Sequence, residues 1–514
     1  MSNNSRIVKS AKNAKVALIF YFINLSLQFF SRKIFIEYLG NEVLGLNTTA
    51  MNLLQFLNLA ELGIGAAISY SLYKPLACNS RTEIVEIISI QGFLYRRIGY
   101  FVIGTSIILM FFFPVFFAKA QVPLWYTYAT FSVLLASALA GYFFNYRQIL
   151  LVSDQKEYKL NCAIQSIKSI KVVLQIVAIR FLTEGYIWWL GLEFVAVIIT
   201  VLGVNYVIQQ EYPWLKTDVI MGKRILKKYP QIVQKTKQLF FHKIAGFALS
   251  QTSPFIIYLY ASLTLVAIYG NYILITGGVT AFLGAVFNSM NAGIGNLVAE
   301  GNQKRIFEVF EELFTIRFYF LCIACFGIYE LASAFIILWI GEYYLLDDTS
   351  LLFLVLIMYI NISRLTVDSY INAYGLFKDI WAPIAETILN LTMSILLGYY
   401  WGIHGILGGV LISLVVIVFC WKPFLLFRYG LKKQITIYIG MYIKHIIVML
   451  VVCVISQYFI SFIEMKPSGS FVAFITCTIT YIFIFSIFLF MGLYFSLQSM
   501  RRCCMKSKFY FTKR

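Results

Sequence analysis

The sequence predicts an all-α membrane protein of about fourteen transmembrane helices, arranged as two pseudo-symmetric six-helix lobes plus two C-terminal helices. Three observations predict it. Long apolar segments follow one another almost from end to end, and each is near the roughly 20 residues that a helix needs to cross bilayer hydrocarbon. With 60% hydrophobic, 18% aromatic and only 13% charged residues, the composition falls in the membrane class. Motifs from the first group of segments return in the second at an almost constant offset.

In chain order, the polar, basic lead-in MSNNSRIVKSAKNAK runs directly into a full-length span, so it reads as a cytoplasmic segment and not a cleaved signal peptide. The expected spans are 16–39, 43–73, 86–117, 122–146, 160–182 and 185–209, forming an N-terminal lobe over 1–210. A basic cytoplasmic linker, 211–239, holds seven Lys or Arg residues and is the longest polar stretch. Spans 240–262, 265–299, 309–340, 350–377, 381–401 and 403–427 form the C-terminal lobe over 240–430. Two additional helices, 436–462 and 471–499, fill 431–500, and 501–514 is a basic tail.

Charge sets the orientation. With the N-terminus inside, the inner loops and both ends carry nearly all the loop Lys and Arg, whereas the outer loops carry two, Lys119 and Lys466. The positive-inside rule then puts both termini in the cytoplasm. The net charge of +19 is a topology and anionic-headgroup signal; its dispersal loop by loop argues against nucleic-acid binding.

The repeat is visible in short motifs. LAELGIGAAI (59–68) answers to SMNAGIGNLV (289–298), each followed by a basic turn, and QKEY (155–158) answers to FKDI (377–380). Six is an even number of spans, so both halves enter from the cytoplasm as parallel repeats, a transporter plan with the site between halves.

Charged residues within spans carry the functional expectations, because a charge in lipid is costly unless it faces a cavity, pairs or snorkels. At about 100° per residue, Asn24, Gln28 and Arg32 share one face of the first span, and Lys33 points away. Arg32 is therefore expected to line a polar cavity and Lys33 to snorkel. On the fifth span Asn161, Gln165, Lys168, Lys171 and Gln175 share an arc that has no paired acids, a surface suited to an anionic, hydroxyl-rich ligand or to a polar helix seam. On the tenth span Asn361, Arg364, Asp368 and Asn372 are nearly collinear, which makes Arg364 a substrate-binding candidate, although Arg364 and Asp368 are four apart and are expected to pair. Arg96, Arg97 and Arg317 are expected to snorkel near cytoplasmic ends. Glu61, Asp368 and Glu386 are candidates for binding a coupling proton or sodium, Glu386 sharing a face with Asn390 and Ser394. Gly405 and Gly409 have the small-xxx-small spacing of close helix contact.

Several chemistries lack their residues. Gly222-Lys223 is followed by Arg224, so no nucleotide-binding loop exists. His242, His404 and His445 are scattered without zinc spacing, and no metal or cofactor is expected. The nine cysteines sit mostly in apolar segments, and Cys503–Cys504 reads as incidental cytoplasmic thiols. Outer loops are too short for an extracytoplasmic catalytic domain.

Residues 32–73, RKIFIEYLGNEVLGLNTTAMNLLQFLNLAELGIGAAISYSLY, and 376–413, LFKDIWAPIAETILNLTMSILLGYYWGIHGILGGVLIS, resemble the polysaccharide-transporter flippases of the multidrug/oligosaccharidyl-lipid/polysaccharide exporter superfamily. The resemblance covers nearly the whole chain. It implies a non-enzymatic transporter of the bacterial inner membrane that moves undecaprenyl-pyrophosphate-linked oligosaccharide units of the O-antigen, capsule or exopolysaccharide type. It also implies a polysaccharide polymerase and a chain-length regulator as partners. Two alternatives stand beside it: a multidrug and toxin extruder exchanging organic cations for protons or sodium, which needs an acidic cavity, and a membrane glycosyl- or acyltransferase, which needs a convergent acid or histidine site.

Overall fold

The computed structural model describes residues 3–61, 64–118, 120–234, 236, 253–288, 290–376 and 381–511. Residues 240–252 of the expected seventh span, the FKDI motif at 377–380, Lys119 and the Leu62-Gly63 pair lie outside the described residues. The chain divides into two units, Met1–Ala267 and Ile268–Arg514. The described residues are nearly all helical.

In the first unit, α1 (Asn3–Leu57) carries the first expected span and about half of the second. Gly40, at φ 84° and ψ 168°, breaks it between them, a backbone conformation open to glycine alone. After α2 (Ile64–Ala77) and α3 (Arg81–Phe111) come α4 (Leu124–Phe143), α5 (Glu157–Phe181) and α6 (Gly185–Glu211). α5 packs chiefly on α6 and α1.

The basic segment after α6 is not a free tether. Its short helix α7 (Val219–Ile225) lies on α3, where a side chain at Gly222 would overlap the Ser89 carbonyl. Lys228 and the Tyr229 hydroxyl both reach the Glu86 carboxylate, at 2.7 Å and 2.5 Å to Oε2. Tyr212, Leu215, Tyr229 and Ile232 join the core of this unit. The QKEY turn is also tied down: Lys156 lies 2.8 Å from Asp154 and 3.2 Å from Glu211. Burial would lower the Lys156 ammonium, but these two carboxylates hold it above the usual lysine range.

α8 (Leu263–Asn288) begins in the first unit and continues into the second, followed there by α9 (Asn291–Ala299), α10 (Gln303–Ile340) and α11 (Asp348–Tyr374). α12 (Trp381–Ser413) continues through π-helical turns to Gly430 and breaks at Gly402, φ 54° and ψ −132°. Beyond the break the chain doubles back, because side chains at Gly405 and Gly409 would overlap the backbone at Leu397 and Ser394. The predicted small-residue seam is thus a helical hairpin at backbone contact. α13 (Ile435–Ile460), α14 (Phe471–Ser496) and α15 (Gln498–Phe511) complete the unit, α14 lying on both α10 and α13. Phe310, Phe314, Tyr370, Phe427, Tyr438 and Tyr442 form the centre of its aromatic core.

Ten helices among the described residues are long and apolar enough to cross a membrane, against the fourteen expected. Part of the difference is that spans eleven and twelve form one 50-residue stretch, Trp381–Gly430. The outside of both units is apolar, with Phe111 79%, Val472 75% and Phe495 75% exposed, a surface for lipid and not for water.

Candidate functional site

In the first unit, part of each predicted stripe comes together. Asn24 Nδ2 on α1 donates to Gln165 Oε1 on α5 at 2.9 Å and to its own helix at Phe20 O, 2.8 Å. Around this bridge lies a cavity of about 280 Å³ lined by Asn24, Gln28, Asn161, Gln165, Lys168 and the aromatic Phe20 and Tyr21. That is the liquid volume of roughly nine waters at ~30 Å³ each. No carboxylate among the described residues lines it. Lys168 makes no hydrogen bond or ion pair among the described residues, so its ammonium is the charge the cavity presents.

The two ends of the predicted stripes leave this cavity. Lys171 pairs with Glu193 of α6 at 2.7 and 2.8 Å, and Gln175 donates to the same carboxylate at 2.9 Å and to Trp189 O at 3.1 Å. The expectation of an arc without paired acids is corrected here: its C-terminal half is an α5–α6 seam with an acid partner. Arg32, about one turn beyond Gln28, is half-buried and donates to Ala267 O at 3.0 Å instead of lining the cavity, and Lys33 is exposed.

In the second unit, Arg364 Nε binds Asp368 Oδ2 at 2.9 Å, the pairing expected from their spacing. Two residues distant in sequence join them. Lys422 binds Asp368 Oδ1 at 2.7 Å, and Glu386, 2% exposed, places Oε1 3.9 Å from Arg364 Nη1. Two cations and two carboxyl groups thus form one intramembrane cluster. Glu386, Asn390 and Ser394 are buried together on α12, as their phase predicted.

The two copies of the GIG motif lie near the starts of α2 and α9. α1 ends at Leu57, a 3₁₀ turn covers Asn58–Glu61, and α2 starts at Ile64; α8 ends at Asn288 and α9 starts at Asn291. Such interruptions release backbone groups that need partners. At the first break Tyr95 donates to Glu61 Oε1 at 2.7 Å and Tyr142 to Asn58 Oδ1 at 2.8 Å. At the second, Arg317 Nη2 donates to the Phe287 carbonyl at 2.8 Å, and Ser369 donates to Asn291 Oδ1 at 2.7 Å. Arg317 is 3% exposed, so the expectation that it snorkels is wrong. The C-terminal end of α8 carries partial negative charge, and the Phe287 carbonyl there accepts from both Met290 N at 3.3 Å and the Arg317 guanidinium.

No protein-family model and no curated protein matches this sequence. Solved structures do match it. The lipid II flippase MurJ, in an inward closed conformation, aligns with TM-score 0.66 and 15% identity over 92% of this chain and 98% of its own. An inward-facing multidrug resistance MATE family transporter of the MOP superfamily aligns with TM-score 0.61 and 14% identity over 82% and 99%. Its outward-facing counterpart aligns with TM-score 0.54 over 82% and 97%. At these identities the likeness concerns the fold: this chain is built like the multi-pass transporters of that superfamily.

Proposed function

We propose that the protein is a flippase that moves an undecaprenyl-pyrophosphate-linked oligosaccharide unit from the cytoplasmic to the outer leaflet of a bacterial inner membrane, by alternating access. The observation that carries the reading is the α1–α5 cavity, whose lining is amides, aromatic rings and the unpaired Lys168, without an acid. Amides and rings suit sugar hydroxyls and faces, and an ammonium suits a phosphate. A fold shared with a lipid II flippase supports the same substrate class. Movement of two negative charges outward from a negative cytoplasm releases roughly 2.3 kcal/mol per charge per 100 mV, so the membrane potential favours the loaded step even without an ion gradient.

A second reading, exchange of organic cations, is favoured by the fold shared with multidrug transporters and by Glu61, which has a tyrosine but no cationic partner among the described residues. The two readings separate in vesicles reconstituted with the purified protein. Flipping of a fluorescent polyprenyl-pyrophosphoryl sugar without uptake of ethidium supports the first reading; ethidium transport without flipping contradicts it.

A further inference from the structure

The intramembrane cluster of the second unit leaves two acceptor oxygens unsatisfied. Glu386 Oε1 and Asn390 Oδ1 are both buried without a hydrogen-bond partner among the described residues. Their residues are 2% and 1% exposed and stand one helical turn apart on one face of α12. The orientation of the Asn390 amide is fixed by its neighbour. Ser413 Oγ donates to Val410 O at 2.7 Å, which leaves it to accept from Asn390 Nδ2 at 3.3 Å, so the carbonyl side of Asn390 points elsewhere. Leaving an acceptor unpaired in a buried site costs about 1–3 kcal/mol. One proton on Glu386 would turn one of these acceptors into a donor for the other, one turn along the same face.

The same proton changes the charge of the cluster. The charged groups facing Glu386 are Arg364 and Asp368 on α11 and Lys422 on the continuation of α12. Asp368 is engaged by both Lys422 and Arg364 Nε. The terminal nitrogens of Arg364 make no hydrogen bond among the described residues, the nearest acceptor being Glu386 Oε1 at 3.9 Å. With Glu386 ionised the four groups sum to zero, and its carboxylate competes for the guanidinium. With Glu386 protonated the cluster has one net positive charge, carried on Arg364, whose side chain is 24% exposed. Two parallel hydrogen bonds from that edge fit two phosphate oxygens.

We propose that Glu386 holds a proton shared with Asn390, and that this proton switches on Arg364 as a binding site for a phosphate-bearing ligand. Proton and anion then bind cooperatively, each raising the affinity of the other by the same factor. The inference rests on the flippase reading, deepening it to a proton-linked pyrophosphate site.

The test is calorimetric titration of the full-length protein in nanodiscs with citronellyl-pyrophosphoryl-N-acetylglucosamine, a disubstituted pyrophosphate that does not titrate near neutrality. Wild-type affinity should fall by up to about tenfold per pH unit on the alkaline side of the Glu386 titration, with about one proton taken up per ligand there. Proton uptake is read by comparing buffers of different ionisation enthalpy. Glu386→Gln should bind with the wild-type low-pH affinity at every pH and take up no proton. Arg364→Gln should weaken binding at low pH and remove the proton linkage. Binding whose pH dependence survives Glu386→Gln overturns the switch while leaving the flippase reading intact, and absence of binding at any pH overturns both.

Discussion

Asn24 and Gln165 lie 141 residues apart and are joined by a 2.9 Å hydrogen bond between their side-chain amides. The bond fixes the register of α1 against α5 and sets the floor of the cavity into which Lys168 projects. If that cavity receives the anionic headgroup, Lys168→Gln should lower transport by about tenfold or more at unchanged expression, the worth of one charge-assisted hydrogen bond. The readout is flipping by reconstituted protein; a wild-type rate would remove Lys168 from the path.

Lys171 should behave differently although it is one turn away. Its role is to neutralise Glu193, so Lys171→Ala leaves a partly buried carboxylate with the Gln175 hydrogen bond but no paired cation and should cost on the order of 3 kcal/mol, seen as a lower Tm. Lys171→Ala combined with Glu193→Gln should recover most of that loss. Equal stability of the single and double variants would contradict the pairing.

In the second unit, Asp347 caps α11 through Ser350 N at 3.0 Å and meets His404 Nε2 at 2.7 Å. Burial would raise the Asp347 carboxyl, but the His404 and Ser350 hydrogen bonds outweigh it and hold it below the usual carboxylate range. A depressed carboxyl contributes stability above its unfolded pKa of about 4 and loses that contribution as pH falls through the folded value. Asp347→Asn, which keeps a capping side chain, should therefore cost less than about 1 kcal/mol near neutrality, the small figure reflecting exposure of both partners. The difference from wild type should vanish in acid, which thermal unfolding at several pH values will check.

Much of this fold was legible in the sequence. The breaks at Gly40 and Gly402 and the seam at Gly405 and Gly409 follow from the length of a bilayer crossing and from where only a small residue fits. Helical phase correctly separated the half-buried Arg32 from the exposed Lys33, and grouped Glu386 with Asn390 and Ser394. Phase cannot name a partner on another helix, and the errors lie there. Glu193 was overlooked as the counter-ion of Lys171, although it is the one acid in the middle of its span. Lys422 and Asp368 are 54 residues apart in sequence. Snorkelling fails for Arg317 because its partner, the Phe287 carbonyl 30 residues away, is visible only in the structure.

The hairpin seam gives a sharper stability prediction. Gly409→Val would drive a branched side chain into the backbone at Ser394, and neither helix can move without losing the turn at Gly402. The variant should fail to give a monodisperse peak by fluorescence-detected chromatography, whereas Gly440→Ala on α13, where a methyl meets nothing within 4 Å, should elute normally. Normal elution of both would mean that the seam is looser than described.

Orientation remains a prediction from charge, and single-cysteine labelling in a cysteine-free background tests it. Lys466→Cys, between α13 and α14, should react with an impermeant maleimide in intact cells. Lys227→Cys, exposed beside α7, should react only after the membrane is opened. The reverse pattern would invert the topology and, with it, the direction of transport proposed.

The central claim is that this chain moves a finished lipid-linked saccharide and does no chemistry on it. Its most direct test is to delete the gene, isolate the undecaprenyl-pyrophosphate-linked saccharide, and determine both its structure and the leaflet that holds it. The account predicts a complete repeat unit confined to the cytoplasmic leaflet, with polymer missing from the cell surface. A saccharide lacking a sugar or acyl group, or a complete unit already on the outer leaflet, would contradict it.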